Sequence, residues 1–590
     1  MATPSSFLAC LGTNYAPTDE EVIVLKDLIS ERERLALRLN ARIDELRAEL
    51  LTVMDIRSQH LQFIEGHRAI LSPIRRVPDD ILLAIFLASL SDIDAMPRPV
   101  RLSREHPSVV ASHVCRRWRD LAIGTPRLWS TFNIHIPRIP ASNETMLIWR
   151  VNIEAYHSML SAWISRSRDA PLCIGMKDTG PIPPHTNMAL LVADGSFRPR
   201  EEVISTIRGC SKRWKHVRFD FNISRTTLDA LRILETTAQD LPLLETVAIT
   251  ARESFLPDLP DREATLARLR RTLTAGLFTA PSLRSLSLHG TWGKIASHTI
   301  FKQWAPLTSL EINTWHMNAT ESPLTDSGHI LHILKAFPNL VHASFRVRKQ
   351  VQEIPVAQEL VNVPYLVTLT LDGDFPGNGF ASRLTLPSLR ELSLLIVHDP
   401  QPDDLTGGLV ELLTSFGSTL TSLTLSHTAL TPPAMLLCFQ ALSNLSKLQL
   451  IGSPALGRSR TTSERDRSAL DLLGKKTAAS TSGEEWCCPR LQVFEITLYG
   501  SGKSVEGALV DLVATRRTGQ AVDAGELTPL AEVRARFVNT PETNLITAIQ
   551  NSGVELDDFH FELHTPRRPS GPGSVNSVVG EPSYSDDSEG

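Results

Sequence analysis

The residues whose types and spacing come nearest to known chemistry are the run Gly500–Ser504, with the sequence GSGKS. It lies between a strand-like segment, FEITL, and a helix-like segment, VEGALVDLVATRR, which is the setting in which a glycine-rich loop cradles phosphate. Such a loop also needs a glycine five positions before its Gly-Lys-Ser, because the backbone must wrap around the phosphates, and Thr497 occupies that position. A nucleotide-dependent enzyme is therefore only the third hypothesis for this chain.

The other chemistry-bearing residue types lack the spacing of a site. Of seven cysteines only Cys487 and Cys488 lie close together, and adjacent cysteines do not match the C-x₂-C geometry of a metal site. The eighteen histidines form no HExxH or paired-ligand pattern, and no G-x-S-x-G motif nominates a serine nucleophile. We therefore predict reduced, mostly buried thiols and no catalytic residue, metal or cofactor.

Charge and hydropathy exclude two classes of partner. The chain has 60 Lys and Arg against 65 Asp and Glu, so it has no overall basic field for nucleic acid. No apolar run approaches the ~18–20 residues that span a bilayer, and the N-terminus lacks the basic and apolar regions of a signal peptide. We expect a cytoplasmic or nuclear protein that does not bind membranes.

Residues 21–70 are predicted to form one long amphipathic helix, preceded by an unstructured segment, 1–20. The helix has no proline, is rich in strong helix formers, and repeats apolar side chains at steps of three, four and seven. Its apolar stripe must be covered, either by a second copy in a coiled-coil homodimer through residues 21–64 or by the rest of the chain. Arg42 interrupts the series. The apolar positions are Leu28, Leu35, Leu39, Ile43, Leu46, Leu50 and Val53.

Residues 71–132 form a compact helical segment. Pro78 followed by two acidic residues is typical of a helix start, because proline fits the first turn and acids favour the positive end of the helix dipole. About 60 residues hold more large apolar groups than they can bury among themselves, so this segment should expose a hydrophobic surface to a partner. Its spaced motifs are PDDIL-x₂-IF from Pro78, VCRRWRDL from Val114, and PRLW from Pro126.

These motifs resemble the F-box. Together with the leading helix and the run LSPIRRVP, they resemble the mushroom-type F-box proteins of fungi. Val77 occupies a position where that family usually has leucine. The resemblance implies binding to a Skp-family adaptor and, through it, to a cullin–RING ubiquitin ligase. It also implies that apolar side chains of this segment lie on its surface and contact the adaptor. We expect the adaptor-binding residues to be Val77, Pro78, Ile81, Leu82, Ile85, Phe86, Val114 and Leu121.

Residues 210–565 repeat a short pattern, Leu-x-x-Leu-x-Leu, nine times at steps of 23 to 46 residues. Alternation at its end predicts a strand with one buried face, and helix-like pieces lie between the copies. One strand-plus-helix unit cannot bury its own apolar faces, whereas stacked units can. The copies are PLLETVAI, PSLRSLSL, PLTSLEI, PNLVHASF, PYLVTLTL, PSLRELSL, TLTSLTL, NLSKLQL and PRLQVFEI.

The predicted fold is therefore α/β: a long N-terminal helix, an all-α F-box, and a degenerate leucine-rich-repeat solenoid with a parallel sheet on its concave face. A doubly wound α/β domain is the alternative. Residues 133–209 connect the two parts and contain the first repeats if the array starts near 160. We expect residues 453–486 to be a mobile insertion and 566–590 a disordered acidic tail.

The favoured function is that of a substrate receptor in an SCF-type ubiquitin ligase. The helical segment would bind the adaptor and the repeats would bind a protein target that the sequence does not identify. The alternative is a leucine-rich-repeat interaction scaffold without a ligase role. In neither hypothesis is the chain an enzyme.

Overall fold

The computed structural model describes most of the 590 residues. The predicted acidic tail and residues 91–101 are outside the described part of the chain. The described residues are 5–90, 102–136, 143–178, 198–223, 233–253, 276–290, 304, 306–313, 326–347, 360–374, 376–396, 406–452, 460–479, 483–499, 502–556 and 559–565.

Contacts divide the chain into two compact units, residues 1–85 and 86–590. The first unit is dominated by helix α1, Asp19–Leu71. Thr18 caps this helix through a reciprocal pair of hydrogen bonds with Glu21, which satisfies donors that would otherwise be unpaired in the first turn. Ser72 and Pro73 end it, because the residue before proline is pushed out of the helical region. The predicted long helix is confirmed, and its apolar side chains are largely exposed within the chain.

In the described residues between α1 and the first strand of the sheet there are three short α-helices. They are α2 Asp79–Ala88, α3 Pro107–Val114 and α4 Arg116–Gly124, and α4 is followed by a 3₁₀ turn, Pro126–Trp129. Helices α3 and α4 pack against one another, and the break between them falls at Cys115, whose backbone is extended.

Among the residues described in the second unit, fourteen strands form a sheet in which every neighbouring pair is parallel. Its strands follow one another across the sheet in chain order. A doubly wound domain reverses its strand order at a switch point, so this topology excludes that alternative and is that of a solenoid. The strands are β1 Thr131–Ile136, β2 Leu172–Asp178, β3 Trp214–Ile223, β4 Thr246–Glu253, β5 Ser285–Gly290, β6 Ser309–Asn313, β7 His342–Val347, β9 Thr368–Gly373, β11 Glu391–Ile396, β12 Ser422–Ser426, β13 Lys447–Ile451, β16 Val493–Leu498, β17 Glu532–Phe537 and β18 His560–His564.

All nine predicted copies of the leucine motif supply strands of this sheet, from β4 to β16. The second leucine position of successive copies is in register across the sheet and is buried in each, because strand side chains alternate between the two faces. The backbone immediately before each strand bonds to the preceding repeat, as in Val341 N–H to Thr308 O at 2.7 Å. The column contains Val247, Leu286, Leu310, Ala343, Leu369, Leu392, Leu423, Leu448 and Phe494.

The array is longer than the nine motifs. Strand β1 begins at Thr131, inside the predicted helical segment, and β2 and β3 lie in or next to the predicted connecting segment. The remaining helices are α5 Asn143–Arg166, α6 Arg198–Gly209, α7 Ser327–Ala336, α8 Thr406–Phe416, α9 Pro432–Gln440, α10 Arg460–Gly474, α11 Lys503–Thr518, α12 Gln520–Asp523 and α13 Leu545–Asn551.

The predicted mobile insertion, 453–486, is wrong for the part that the structure describes. Helix α10 packs against α11 and buries Ala469, Leu470 and Leu473. An antiparallel hairpin follows it, β14 Lys476–Ala479 with β15 Gly483–Trp486. A second small sheet pairs β8 Val361–Asn362 with β10 Leu384–Thr385. The prediction relied on the serine- and charge-rich composition of this segment. It overlooked Ala469, Leu470 and Leu473, whose spacing of three and four residues is that of a helix that buries one side.

Candidate protein-binding surfaces

Helix α2 presents two different sides. Leu82 is fully buried and Phe86 is 5% exposed, whereas Ile81 and Ile85 are 50% and 49% exposed. Residues four apart lie above one another on a helix, so the first pair forms one side and the second pair another. Pro78, just before the helix, is exposed.

Phe86 is held in the interior by aromatic packing. Its ring centroid lies 4.9 Å from that of Trp118 in α4, with the rings at 63°. The indole of Trp129 is buried as well, and its Nε1 donates to the carbonyl of Ala122 at 2.8 Å. Edge-to-face aromatic contacts and a satisfied indole N–H are typical of a well-packed core.

Helix α3 is fixed to the start of the sheet by polar contacts. His106 accepts the backbone N–H of Ser108 at its Nδ1, 3.2 Å away, and therefore caps the helix. Its Nε2 lies 3.4 Å from the carbonyl oxygen of Thr131 in β1, and Ser108 Oγ donates to the carbonyl of Leu128 at 2.6 Å. Burial lowers the pKa of His106, and the Thr131 contact opposes that shift. The neutral imidazole thus holds α3 in place.

The outer side of α3 is apolar. Val110 and Val114 are four residues apart and are 50% and 56% exposed, while Ala111 and Ser112 face the interior. In α4, Leu121 is half-buried, and Arg119 donates through Nε to the carbonyl of Ser112 at 2.9 Å. The two helices therefore fix each other while the valine pair stays accessible.

The predicted adaptor-binding residues divide into three groups. Pro78, Ile81, Ile85 and Val114 are exposed, and Val77 and Leu121 are half-buried. The surface prediction is wrong for Leu82 and Phe86, which lie in the interior because the segment needs them for its own core. Val110 was missed as a surface residue, and its spacing of four from Val114 was the signal that could have identified it.

The sheet provides a second, broader surface. Several of the strands bury strictly alternate side chains and leave the others accessible on the opposite face. That face is mainly polar, with Ala248 and Val493 among its apolar residues. One of its registered rows contains Ser285, Ser309, His342, Thr368, Glu391, Ser422 and Lys447.

Two clusters of polar residues stand out on this face. On β5 and β6, Glu311 accepts the hydroxyl of Ser287 at 2.7 Å, and His289 Nε2 lies 3.6 Å from the same carboxylate. The His289 contact is the main reason that the pKa of Glu311 is lowered. Ser287 Oγ and Glu311 both lie near Nε2 of His289. In a hydrolase triad the serine and the carboxylate contact opposite nitrogens of the imidazole, so these three residues do not form such a triad.

At the C-terminal end of the sheet, Arg534 links three strands through carboxylates. Its nitrogens lie 3.2 Å from Glu495 in β16, 2.6 Å from Glu532 in β17 and 3.3 Å from Glu562 in β18. We interpret this half-exposed network as a set of ion pairs that connects the terminal repeats, not as a reactive site.

The structure also describes part of the glycine-rich run. Gly502 has φ of 134°, and Lys503 and Ser504 are exposed at the start of α11. The buried carboxylate of Glu506 accepts the backbone N–H groups of Glu542 at 2.7 Å and Thr543 at 2.9 Å. A carboxylate in the first turn already compensates the positive end of the helix, which disfavours phosphate there.

Other titratable groups are buried in structural roles. His427 Nε2 lies 2.8 Å from Asp466 Oδ1, and both side chains are fully buried. Burial raises the pKa of the Cys438 and Cys488 thiols to about 12, so neither is a reactive thiolate. Among the residues that the structure describes, no group of three or more His, Cys, Asp or Glu side chains is placed to hold a metal ion. Over the same residues, no helix combines the length and apolarity needed to span a membrane.

Comparison with known proteins found no matching family model and no matching curated protein. Among solved structures, the Rad7 and Elc1 complex in yeast is similar with a TM-score of 0.27 and 15% identity, covering 60% of this chain and 88% of that chain. A protein from Bacteroides fragilis has a TM-score of 0.26 and 12% identity, covering 58% and 72% of the two chains. The TLR13–ssRNA13 complex has a TM-score of 0.27 and 12% identity, covering 75% and 46%. Likeness at this level assigns neither a family nor a function.

Proposed function

We propose that this chain is the substrate-receptor subunit of an SCF-type cullin–RING ubiquitin ligase. A Skp-family adaptor binds exposed apolar side chains of the segment 71–132, and a protein target binds the accessible face of the sheet. The chain performs no chemistry itself. It raises the effective concentration of the target beside the ubiquitin-charged enzyme, as any bivalent linker does.

The observation that supports adaptor binding is a pair of exposed apolar residues, four positions apart, on each of two short helices. Ile81 and Ile85 on α2, and Val110 and Val114 on α3, are β-branched pairs spaced by four residues and about half exposed. The other side of each helix is anchored in the core, so these pairs are ordered yet uncovered. Ordered, exposed apolar side chains at helical spacing are typical of helix-in-groove recognition between proteins.

The size and polarity of the sheet face favour a protein target. Fourteen strands at about 4.8 Å spacing make a surface on the order of 60 Å wide. A small-molecule site is usually a mostly apolar cleft. One cavity of about 360 Å³ is instead lined by polar groups such as Arg208, Lys212, Glu235 and Asp240.

Titration of the purified full-length protein with a Skp-type adaptor tests the proposal. Ile85→Asp and Val114→Asp each place a charge in the proposed contact and are expected to weaken binding by at least ~100-fold. Leu437→Asp, on α9, is the matched control because Leu437 is 48% exposed and lies far along the array; it should bind as the wild type does.

The same titration separates this proposal from the alternative. A scaffold without a ligase role would give no adaptor binding in the wild-type protein while folding normally. Wild-type affinity in both Ile85→Asp and Val114→Asp would instead mean that the adaptor binds elsewhere on the chain. Either result rejects the assignment.

A further inference from the structure

Helix α1 contains a regular seven-residue repeat of apolar side chains, most of which are exposed among the described residues. With the first and fourth positions of the repeat called a and d, the ten a and d positions between residues 22 and 53 are apolar in nine cases, Arg32 being the exception. All described residues from Ile29 to Leu71 in this helix are exposed. The ten are Val22, Leu25, Ile29, Arg32, Ala36, Leu39, Ile43, Leu46, Leu50 and Val53.

The kinds of apolar residue favour one architecture. The a positions include β-branched Val22, Ile29 and Ile43, while the d positions include Leu25, Leu39 and Leu46. β-branched residues at a with leucine at d favour a parallel two-stranded coiled coil. In this register Arg42 lies beside the apolar row rather than within it, and its guanidinium is held 2.8 Å from Glu45 of the same helix.

We propose that α1 forms a parallel, in-register coiled coil with α1 of a second copy of this chain over residues 22–53. The row is about 48 Å long at 1.5 Å per residue, with Val22 and Leu25 half-buried and the residues from Ile29 onward exposed. A partner must follow the row over its exposed length to cover it. A second copy supplies a row of the same length and composition.

The register also places Glu21 beside Lys26 of the second copy, an opposite-charge pair, and Arg42 beside Arg47 of the second copy, a like-charge pair. The apolar residues, and not the flanking charges, therefore favour the parallel orientation.

The seven-residue apolar repeat of α1 ends after Val53. The next a and d positions are Arg57 and His60, and polar or charged side chains there disfavour continued pairing. The two helices would therefore separate before the F-box-like segment that follows each of them. The dimer would carry two adaptor-binding segments and two sheet faces, which raises avidity for any target with repeated sites. This inference concerns a different surface from the adaptor site and stands without it.

Sedimentation equilibrium of the full-length protein, with two matched pairs of variants, tests it. The wild type should have twice the chain mass of 65.2 kDa at micromolar concentration. Leu39→Lys and Leu46→Lys, at d positions, should raise the dimer dissociation constant by at least ~100-fold. Leu37→Lys and Leu51→Lys should not, because those leucines are both 68% exposed but lie off the row.

Cysteine crosslinking tests the orientation. In a parallel, in-register dimer Leu39→Cys should form an intermolecular disulfide on mild oxidation, above the background from the native thiols, and Leu37→Cys should not. A wild type that is monomeric throughout the micromolar range would overturn the proposal and leave packing within the chain as the explanation. A dimer that survives both Leu39→Lys and Leu46→Lys, or that crosslinks equally at both sites, would also overturn it.

Discussion

The ring of Phe86 lies 4.9 Å from the ring of Trp118, edge to face, and Phe86 is only 5% exposed. A residue that the sequence motif assigned to the surface is thus part of the core. Its neighbour Ile85 is 49% exposed. One position along α2 therefore separates a residue that stabilises the segment from one that is available to a partner.

Phe86→Ala and Ile85→Ala should accordingly differ in stability. Loss of the buried ring should cost about 3–5 kcal/mol, because it removes buried area and leaves a cavity beside Trp118. Ile85→Ala should change the free energy of unfolding by about 0.5 kcal/mol or less, as at other exposed positions. Chemical denaturation followed by tryptophan fluorescence measures both, and equal losses would contradict the assigned positions.

Helix α3 should loosen in mild acid because His106 caps it in the neutral form. Its folded pKa is lowered, mainly by burial, so the unfolded state binds more protons as pH falls below its ordinary value of about 6.5. Stability of the segment is then lost as pH falls from that value toward the folded pKa. His106→Asn keeps a capping oxygen that does not titrate, so amide exchange in α3 should lose this pH dependence. An unchanged pH profile in His106→Asn would refute the role of the imidazole.

Arg516 should be among the most sensitive positions of the array. It is fully buried and donates to the carbonyl oxygens of Leu473 at 2.8 Å, Cys488 at 2.9 Å and Cys487. Arg516→Met keeps much of the volume but leaves these buried acceptors without donors, at a cost of about 2–5 kcal/mol.

The control for Arg516→Met is Arg490→Met, because Arg490 is exposed and should tolerate the change. Circular dichroism during guanidinium unfolding compares the two. A similar midpoint for both variants would show that the three carbonyl contacts contribute little.

Glu506 should make the C-terminal repeats sensitive to stronger acid. Burial raises the pKa of its carboxyl, but hydrogen bonds from Thr543, Glu542 and Gly502 together outweigh it, so the pKa is lowered. The contribution is present above the unfolded pKa, about 4.3, and is lost as pH falls through the folded value. Glu506→Gln should destabilise the array by about 1–3 kcal/mol at pH 7 and by less as the pH is lowered. An equal difference at neutral and acidic pH would argue against a charged Glu506.

The fold was predictable where one repeated pattern dictated it. The leucine motif identified nine strands, because a buried leucine at a fixed place in each repeat is what a stacked sheet requires. Strands β17 and β18, EVRARF and HFELH, were not identified by it. In β17, valine, alanine and phenylalanine take the buried places, and in β18 the apolar residues Phe561 and Leu563 are only half-buried. Local spacing specifies a strand, whereas the number of repeats depends on which later segments stack on the last one.

The candidate site was predictable only in part. In α2 both Leu82 with Phe86 and Ile81 with Ile85 are apolar pairs four residues apart, so spacing alone could not decide which pair faces the core. The choice depends on tertiary packing against residues distant in sequence, such as Trp118.

Hydrogen–deuterium exchange of the full-length protein, with and without a Skp-type adaptor, tests the central claim most directly. Occupied apolar sides of α2 and α3 should slow amide exchange in residues 79–88 and 107–114, while β16 to β18 exchange at the same rate in both samples. Formation of a complex without slower exchange in either helix, or failure of the two proteins to associate at micromolar concentration, would contradict the account.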